Sequence, residues 1–293
     1  MKIVYLDCIS GISGDMALAA LVDAGADKAF IERELAKLPL TPYSIEWKTV
    51  NKNGISSLKA DVIPDPAFPP VHHTHYSEIV RMIQEAGLPE RTVERSLAIF
   101  EKIGIAEAKI HGIPLDRVHF HEVGAVDSIV DAVGVALALE SLQADVICSS
   151  AVPLGCGTVV CAHGTYPVPA PATLEMMKGV PTAYVPIAKE LTTPTGAGII
   201  SALVDKFETA IPSMTIASVG YGAGTRDLRE RPNVLRVVFG QIDDSFLTSG
   251  MSEEQHESHH HHHGHHHEHH HHDHRHGHGH EHHKHEHDEH AHN

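Results

Sequence analysis

VHFHEVGAVDSIVD, residues Val118 to Asp131, brings together two histidines and three acidic side chains in one short stretch. In an extended strand alternate side chains share a face, so His119 and His121 should project together. Further along, the apolar spacing becomes helical and predicts Asp127 and Asp131 one turn apart on one helix face. Imidazole and carboxylate groups where a strand meets a helix are typical of a site for nickel, zinc, cobalt or iron. The alternative is a surface histidine pair followed by a helix whose aspartates favour its N-terminal dipole.

The composition divides the chain into a globular body, residues 1–244, and a histidine-rich tail, residues 245–293. The tail holds most of the 30 histidines of the chain. Such a composition cannot bury an apolar core, so we expect the tail to be disordered without metal. Because imidazole binds nickel, zinc and copper, the tail predicts metal storage or delivery.

Charge and cysteine content exclude several classes of protein. The net charge of −16 and the lack of a clustered basic face argue against a nucleic-acid partner. No apolar run is long enough to span a bilayer, and the start reads as a strand and not as a secretory signal. The four cysteines show no Cys-x-x-Cys pair and no disulfide framework, so we expect a cytoplasmic protein.

Strand and helix patterns are mixed along the body and predict a mixed α/β fold (α+β). Asn53-Gly54 between two strand-like runs predicts a hairpin. The apolar helix that follows the central segment should be buried. We expect two lobes with the site between them. Strand order and oligomeric state stay open, and a homo-oligomer is one of the alternatives.

Two loops that lead into helices are candidate anion sites. The first contains the small residues Ser10, Gly11, Ser13 and Gly14, followed by Asp15, which would cap the helix or help to hold a cation beside a phosphate. The second contains Thr192, Thr193 and Thr195, with Thr193 as N-cap and Pro194 at the first helical position. Arg226, in a glycine-rich loop, is suited to clamp phosphate or carboxylate. Ordinary capped or solvated turns are the alternative in each case.

Further histidines lie outside the central segment. His72, His73 and His75 cluster just before a predicted helix, and two of them could bind one ion. His163 begins a loop that three prolines stiffen, which would hold this side chain in place or simply connect two elements. Cys156 and Cys161 are soft donors, but we interpret them as structural because a free cysteine is usually a small buried hydrophobe.

Four blocks together resemble the signatures of one family. They are DCISGISGDM (Asp7–Met16), HFHEVGAVDS (His119–Ser128), HGTYPVPAPAT (His163–Thr173) and ELTTPTG (Glu190–Gly196). They are similar to blocks of the nickel insertion proteins that complete the nickel-pincer cofactor of lactate racemase. The resemblance covers roughly Met1 to Ile242 and the histidine-rich segment.

The resemblance implies an enzyme of the lyase class, a nickel chelatase or cyclometallase. Its small-molecule substrate would be pyridinium-3,5-bisthiocarboxylic acid mononucleotide. Nickel would be inserted with formation of two Ni–S bonds and one Ni–C bond, using CTP with Mg or Mn. The resemblance also implies a further C-terminal domain where CTP binds, so we expect full activity to need such a domain or a partner chain.

This chemistry suggests roles for the residues named above. Forming the Ni–C bond requires loss of a proton from the ring carbon, so Glu122 and Asp127 are the candidate catalytic bases. The candidate metal ligands are His119, His121, Asp131, His72, His75 and His163. The two helix-start loops and Arg226 would seat the substrate phosphate, and the tail would raise the local nickel concentration.

Two other functions remain as alternatives. One is a nickel storage protein or metallochaperone without catalysis. The other is a metal-dependent phosphoester hydrolase, in which His119, His121 and Asp127 hold a metal that activates water.

Overall fold

The computed structural model describes residues 1–68, 74–120, 123–161 and 164–242. The histidine-rich tail lies outside these ranges, so its disorder and its metal binding stay predictions. The described residues belong to one compact unit, and two separate lobes are not distinguished among them.

The helices in the described ranges are α1 (Gly14–Asp23), α2 (Lys28–Leu35), α3 (Tyr76–Glu85), α4 (Glu90–His111), α5 (Val126–Ser141), α6 (Pro171–Met176) and α7 (Pro194–Leu203). The strands are β1 (Lys2–Asp7), β2 (Tyr43–Lys52), β3 (Ile55–Pro64), β4 (Thr74–His75), β5 (His119–Phe120), β6 (Val146–Ser149), β7 (Val152–Pro153), β8 (Thr158–Cys161), β9 (Gly164–Pro167), β10 (Thr182–Ala183), β11 (Lys206–Phe207), β12 (Thr215–Ala223) and β13 (Val234–Gln241). A short 3₁₀ turn covers Leu115–Arg117. The predicted mixed α/β class is confirmed.

Seven strands form the main sheet, in the order β11-β6-β1-β13-β12-β3-β2. β1 pairs parallel with β6 and antiparallel with β13, so the sheet is mixed. Val4 and Leu6 enter the main core, while Ile3 and Tyr5 enter a smaller cluster. Both faces of β1 are therefore covered, which explains its continuous apolar run.

The hairpin predicted at Asn53-Gly54 is confirmed. These two residues join β2 to β3, and both have positive φ, 49° at Asn53 and 91° at Gly54. A two-residue turn with both φ angles positive matches the right-handed twist of the flanking strands. The turn fixes the register in which Lys59 pairs with Lys48 and Asp61 pairs with Glu46.

Helices α1 and α5 pack against each other, and α1 also lies on β12 and β3. As predicted, α5 is buried on nearly all sides, including the apolar run from Val133 to Leu139. Gly222 allows the close contact of α1 with β12, because a Cβ there would lie 1.9 Å from the carbonyl oxygen of Met16. None of the described helices is long and apolar enough to cross a membrane.

The loop after β1 is tied to the loop before α7. The backbone N–H of Ile12 donates to the carbonyl of Leu191 (3.1 Å), and the N–H of Thr193 donates to the carbonyl of Ile12 (3.1 Å). Gly196 lies against the same carbonyl, since a Cβ there would be 2.1 Å from the Ile12 oxygen. These contacts bring the start of α7 beside the start of α1.

Candidate functional site

A cavity of about 370 Å³ lies where α1, α5 and α7 begin, and we call it the aspartate cavity. Carboxyl and hydroxyl groups dominate its wall. They belong to Asp15, Asp61, Asp127, Asp131, Glu190, Ser13, Ser128, Thr193, Thr195 and Thr225. Lys59 of β3 is the only cation among the described residues that line it.

Lys59, Asp15 and Asp61 form a partly buried charged cluster at this cavity. The Lys59 ammonium donates to Asp15 Oδ2 at 3.0 Å and lies 3.0 Å from Asp61 Oδ1. The Ser13 hydroxyl donates to Asp15 Oδ1, so both oxygens of this carboxylate have a donor. Burial alone lowers the pKa of Lys59, but Asp15 and Asp61 outweigh burial and leave the pKa raised. Lys59 is therefore charged, although it is only 8% exposed.

Asp131 differs from its neighbour Asp15. Its Oδ1 is buried and has no hydrogen-bond partner among the described residues. Burial, followed by the charges of Asp15 and Asp127, raises the pKa of Asp131 well above its usual range, although the backbone N–H of Asp15 bonds to the carboxyl group. The carboxyl group therefore keeps its proton to a higher pH than an exposed aspartate does. Gly14 makes room for this carboxyl, because a Cβ there would lie 2.6 Å from Asp131 Cβ.

Asp127 and Asp131 share the wall of this cavity, as their spacing predicted. Asp127 is exposed in the first turn of α5, and its Oδ1 accepts the backbone N–H of Ser128 at 2.8 Å. The catalytic role of Asp127 and the metal-binding role of Asp131 stay predictions.

Three of the described helices begin at the aspartate cavity. Thr193 caps α7 by accepting the N–H of Gly196 at 3.2 Å, and Pro194 occupies the first turn, as predicted. Ser13 precedes α1, but its side chain makes no capping bond to the described backbone and donates to Asp15 instead. Each helix start contributes about half a positive charge, which offsets part of the carboxylate charge.

A second cavity, of about 250 Å³, contains nitrogen and sulfur donors, and we call it the histidine cavity. Its polar lining residues are Glu107, His111, His119, Cys161, Tyr166 and Glu190. His119 is exposed while Phe120 is buried, which confirms the predicted alternation along β5. The Nε2 atom of His111 lies 3.2 Å from the Glu107 carboxylate, one turn earlier on α4.

His75 and His119 lie directly opposite each other in the β4–β5 ladder. Their ring centroids are 6.0 Å apart, with the rings edge to face. Two predicted metal ligands from distant segments therefore meet. Among the described residues, however, no group of three or more His, Cys, Asp or Glu side chains is arranged to hold a metal ion.

The two cavities adjoin. They share a wall formed by Val123, Glu190 and Pro194. This wall lies between the nitrogen and sulfur donors of the histidine cavity and the hydroxyl and carboxyl groups of the aspartate cavity. A bound molecule long enough to pass this wall would contact both donor sets.

The sequence matches the model of the nickel insertion protein family over residues 4–268. The chain belongs to this family. A relative from Geobacillus kaustophilus is 55% identical over 248 residues, covering 82% of this chain and 60% of the relative. A relative from Staphylococcus epidermidis is 49% identical, and the match covers 84% of this chain and 60% of the relative. A relative from Staphylococcus saprophyticus is 47% identical, and the match covers 80% of this chain and 59% of the relative. All three are named pyridinium-3,5-bisthiocarboxylic acid mononucleotide nickel insertion protein.

The chain spans about three fifths of the length of these nickel insertion proteins. No solved structure matches the chain.

Three residues that were predicted to bind phosphate do not line the aspartate cavity. They contact the backbone of other loops instead. The Ser10 hydroxyl donates to the carbonyl of Pro232 at 2.7 Å. The Thr192 hydroxyl donates to the carbonyl of Pro153 at 2.8 Å. Gly11 has φ of 90° and lies against the Leu191 carbonyl.

Arg226, which was also predicted to bind phosphate, donates through its guanidinium to the carbonyl of Glu190 at 3.1 Å and so braces a residue of the shared wall. Ser13, Gly14, Asp15, Thr193 and Thr195 do line the aspartate cavity. Four predicted site residues, His72, His121, Glu122 and His163, lie outside the described residues.

Sequence reasoning missed Lys59 and Asp61 as site residues. In a strand, residues two apart share a face, so the Lys59/Asp61 pair marks a polar face of β3. This signal is weak, because such pairs usually lie in solvent. Only the packing of α1 on β3 turns it into part of a cavity.

Proposed function

We propose that this chain takes part in inserting nickel into pyridinium-3,5-bisthiocarboxylic acid mononucleotide, the compound in the names of its relatives. The observation that carries the proposal is the contact of two cavities with different donor chemistry along one wall. Nickel, a borderline ion, suits imidazole, whereas a phosphate and the hard cation that accompanies it suit hydroxyl and carboxylate groups. The substrate carries both a phosphate group and nickel-binding sulfur atoms.

The His75–His119 pair is the proposed nickel contact in the described residues. Two imidazoles bind nickel less firmly than a closed set of four ligands, so the ion can pass to the two sulfur atoms of the substrate. This agrees with the lack of a larger ligand cluster among the described residues. His72, His121 and His163 stay predicted ligands of the incoming ion.

Formation of the Ni–C bond replaces a ring C–H bond, whose proton must pass to a base. Glu122 and Asp127 are the proposed bases. Support for Asp127 comes from its position: it is exposed and lines the aspartate cavity beside the shared wall. Glu122 directly precedes Val123, a residue of that wall.

The oxygen donors of the aspartate cavity also fit Mg²⁺ or Mn²⁺. Asp131 has a buried oxygen without a partner in the described part of the chain, and Asp127 lies on the same helix face. Asp131, with other carboxylates of the cavity, would hold the cation, which supplies charge neutralisation for a phosphate and leaves Asp127 as a base. Because the pKa of Asp131 is raised, cation binding there should release a proton.

We further propose that the enzyme is of the lyase class and that use of CTP requires a further domain or a partner chain. Both are what the resemblance to nickel insertion proteins implies, and the chain belongs to that family. The histidine-rich tail would raise the nickel concentration near the body.

The test is a nickel titration of residues 1–252, which contain all the described residues but lack the dense histidine run, with and without the mononucleotide substrate. We expect one nickel site whose affinity rises when the substrate is present. His119→Ala should remove this site, whereas His111→Ala, in the same cavity but outside the pair, should keep it. If His119→Ala binds nickel like the wild type, the proposal is wrong. If only the full chain with its tail binds nickel, nickel storage is the better function.

A further inference from the structure

The ammonium group of Lys59 has one N–H donor that is not used by the described residues. An ammonium group has three donors, and Lys59 directs two of them to Asp15 and Asp61, both at 3.0 Å. The third has no partner among the described residues. Since Lys59 is 8% exposed and lines the aspartate cavity, this donor is available to a molecule bound there.

A purely structural clamp between α1 and β3 is the competing explanation. Buried ion pairs are poor clamps, because desolvation costs as much as the charges gain and apolar residues would hold the elements equally well. The cluster is also open to the cavity, since the side chains of Asp15 and Asp61 are 24% and 34% exposed. A cation kept beside an open cavity is typical of ligand recognition.

The charges of the cavity define what can bind. The carboxyl groups of Asp15, Asp61, Asp127 and Glu190 outnumber Lys59 and the half charges of the three helix starts. A bare anion would therefore be repelled. A divalent cation makes the local balance close to neutral, so an anion would bind together with such a cation.

We propose that Lys59 recognises the phosphate group of the mononucleotide, bound with a divalent cation, and thereby selects the phosphorylated substrate over its nucleoside. This inference rests on the proposed function, because that function supplies a substrate with a phosphate. It also orients the substrate: the phosphate binds beside Lys59, and the pyridinium ring reaches past Val123 and Pro194 into the histidine cavity.

Calorimetric titration of the full chain, in Mg²⁺ and without nickel, tests this role. The probes are nicotinate mononucleotide, a commercially available pyridinium mononucleotide, and nicotinate riboside, which lacks the phosphate. The wild type should prefer the mononucleotide. Lys59→Met should weaken binding of the mononucleotide about tenfold or more, the size expected for a charged hydrogen bond, and leave the riboside unchanged.

Lys52→Met is the matched control. Lys52 is also 8% exposed, but it pairs with Asp227 at 2.6 Å and is not among the described residues that line the cavity. This variant should keep the preference for the mononucleotide. If Lys59→Met also keeps it, or if the wild type shows no preference, the proposal is overturned.

Asp61→Asn gives a second test if Lys59→Met does not fold. Removing this carboxylate frees the charge of Lys59, so the affinity for the mononucleotide should rise several-fold while that for the riboside stays constant. Loss of a carboxylate also weakens the repulsion of any anion, so Glu190→Gln, which removes a carboxylate of the same cavity outside the Lys59 pairs, is the control. An equal rise in both variants, or no rise in Asp61→Asn, would overturn the proposal. Because nickel is absent, these results are independent of the His119→Ala test of nickel binding.

Discussion

Gly14→Ala should destabilise the body, although alanine is the better helix former. Gly14 is the first residue of α1, and a Cβ there would lie 2.6 Å from Asp131 Cβ and 2.9 Å from Asp131 Oδ2. Non-bonded carbon atoms prefer about 3.5–4.0 Å, so α1 and α5 must separate by about 1 Å at this point. The nearer atom, Asp131 Cβ, cannot rotate away, because the position of a Cβ is fixed by the backbone.

Overpacking of this kind costs about 1–3 kcal/mol. For a body of this size, each kcal/mol lowers the melting temperature by about 2–4 °C, so we expect a fall of about 2–12 °C. The measurement is thermal unfolding of residues 1–252, followed by circular dichroism. The separation would also move the N–H of Asp15 from the Asp131 carboxyl, so Mn²⁺ binding in the aspartate cavity should weaken.

Gly134→Ala is the control for this prediction. Gly134 lies inside α5, and a Cβ there would lie 3.0 Å from the end of the Leu18 side chain, which can move. Alanine gains about 1 kcal/mol over glycine in a helix interior, so this variant should melt close to the wild type or above it. If Gly14→Ala melts at or above the wild-type temperature, the contact between α1 and α5 is not as tight as the structure indicates.

Three further predictions concern pH, capping and the tail. Burial and the charges of Asp15 and Asp127 raise the pKa of Asp131 in the folded state, so the wild type should lose stability as pH rises above 3.8, the ordinary value, towards the folded pKa. Asp131→Asn lacks this loss, so its melting temperature should rise relative to the wild type between pH 4 and neutral pH; parallel curves would contradict the raised pKa. Thr193→Ala should lower the free energy of unfolding by denaturant by about 1 kcal/mol, because the N-cap bond of α7 to the Gly196 N–H is lost. Thr193→Ser should keep this bond and the stability; equal losses in both variants would exclude capping as the cause. The full chain should bind several nickel ions by equilibrium dialysis while residues 1–252 bind one; equal stoichiometry would show that the tail is not the main nickel reservoir.

The local features of this protein could be predicted from its sequence because they depend on short spacings. The Asn53-Gly54 hairpin, the Thr193 cap and the shared face of Asp127 and Asp131 all follow from periods of two or 3.6 residues and from turn chemistry. The four motif blocks likewise identified the family without any structure. Spacing did not predict that the hydroxyls of Ser10 and Thr192 each donate to a backbone carbonyl of another loop, and their phosphate-binding role stays a prediction.

The site itself was decided by the tertiary structure. His75 meets His119 only because β4 pairs with β5, and Lys59 meets Asp15 only because α1 packs on β3. The raised pKa of Asp131 likewise depends on its burial beside Asp15. Residue spacing determines which side chains share a strand or a helix face, whereas burial and the packing of distant segments determine which faces meet and what their charges become.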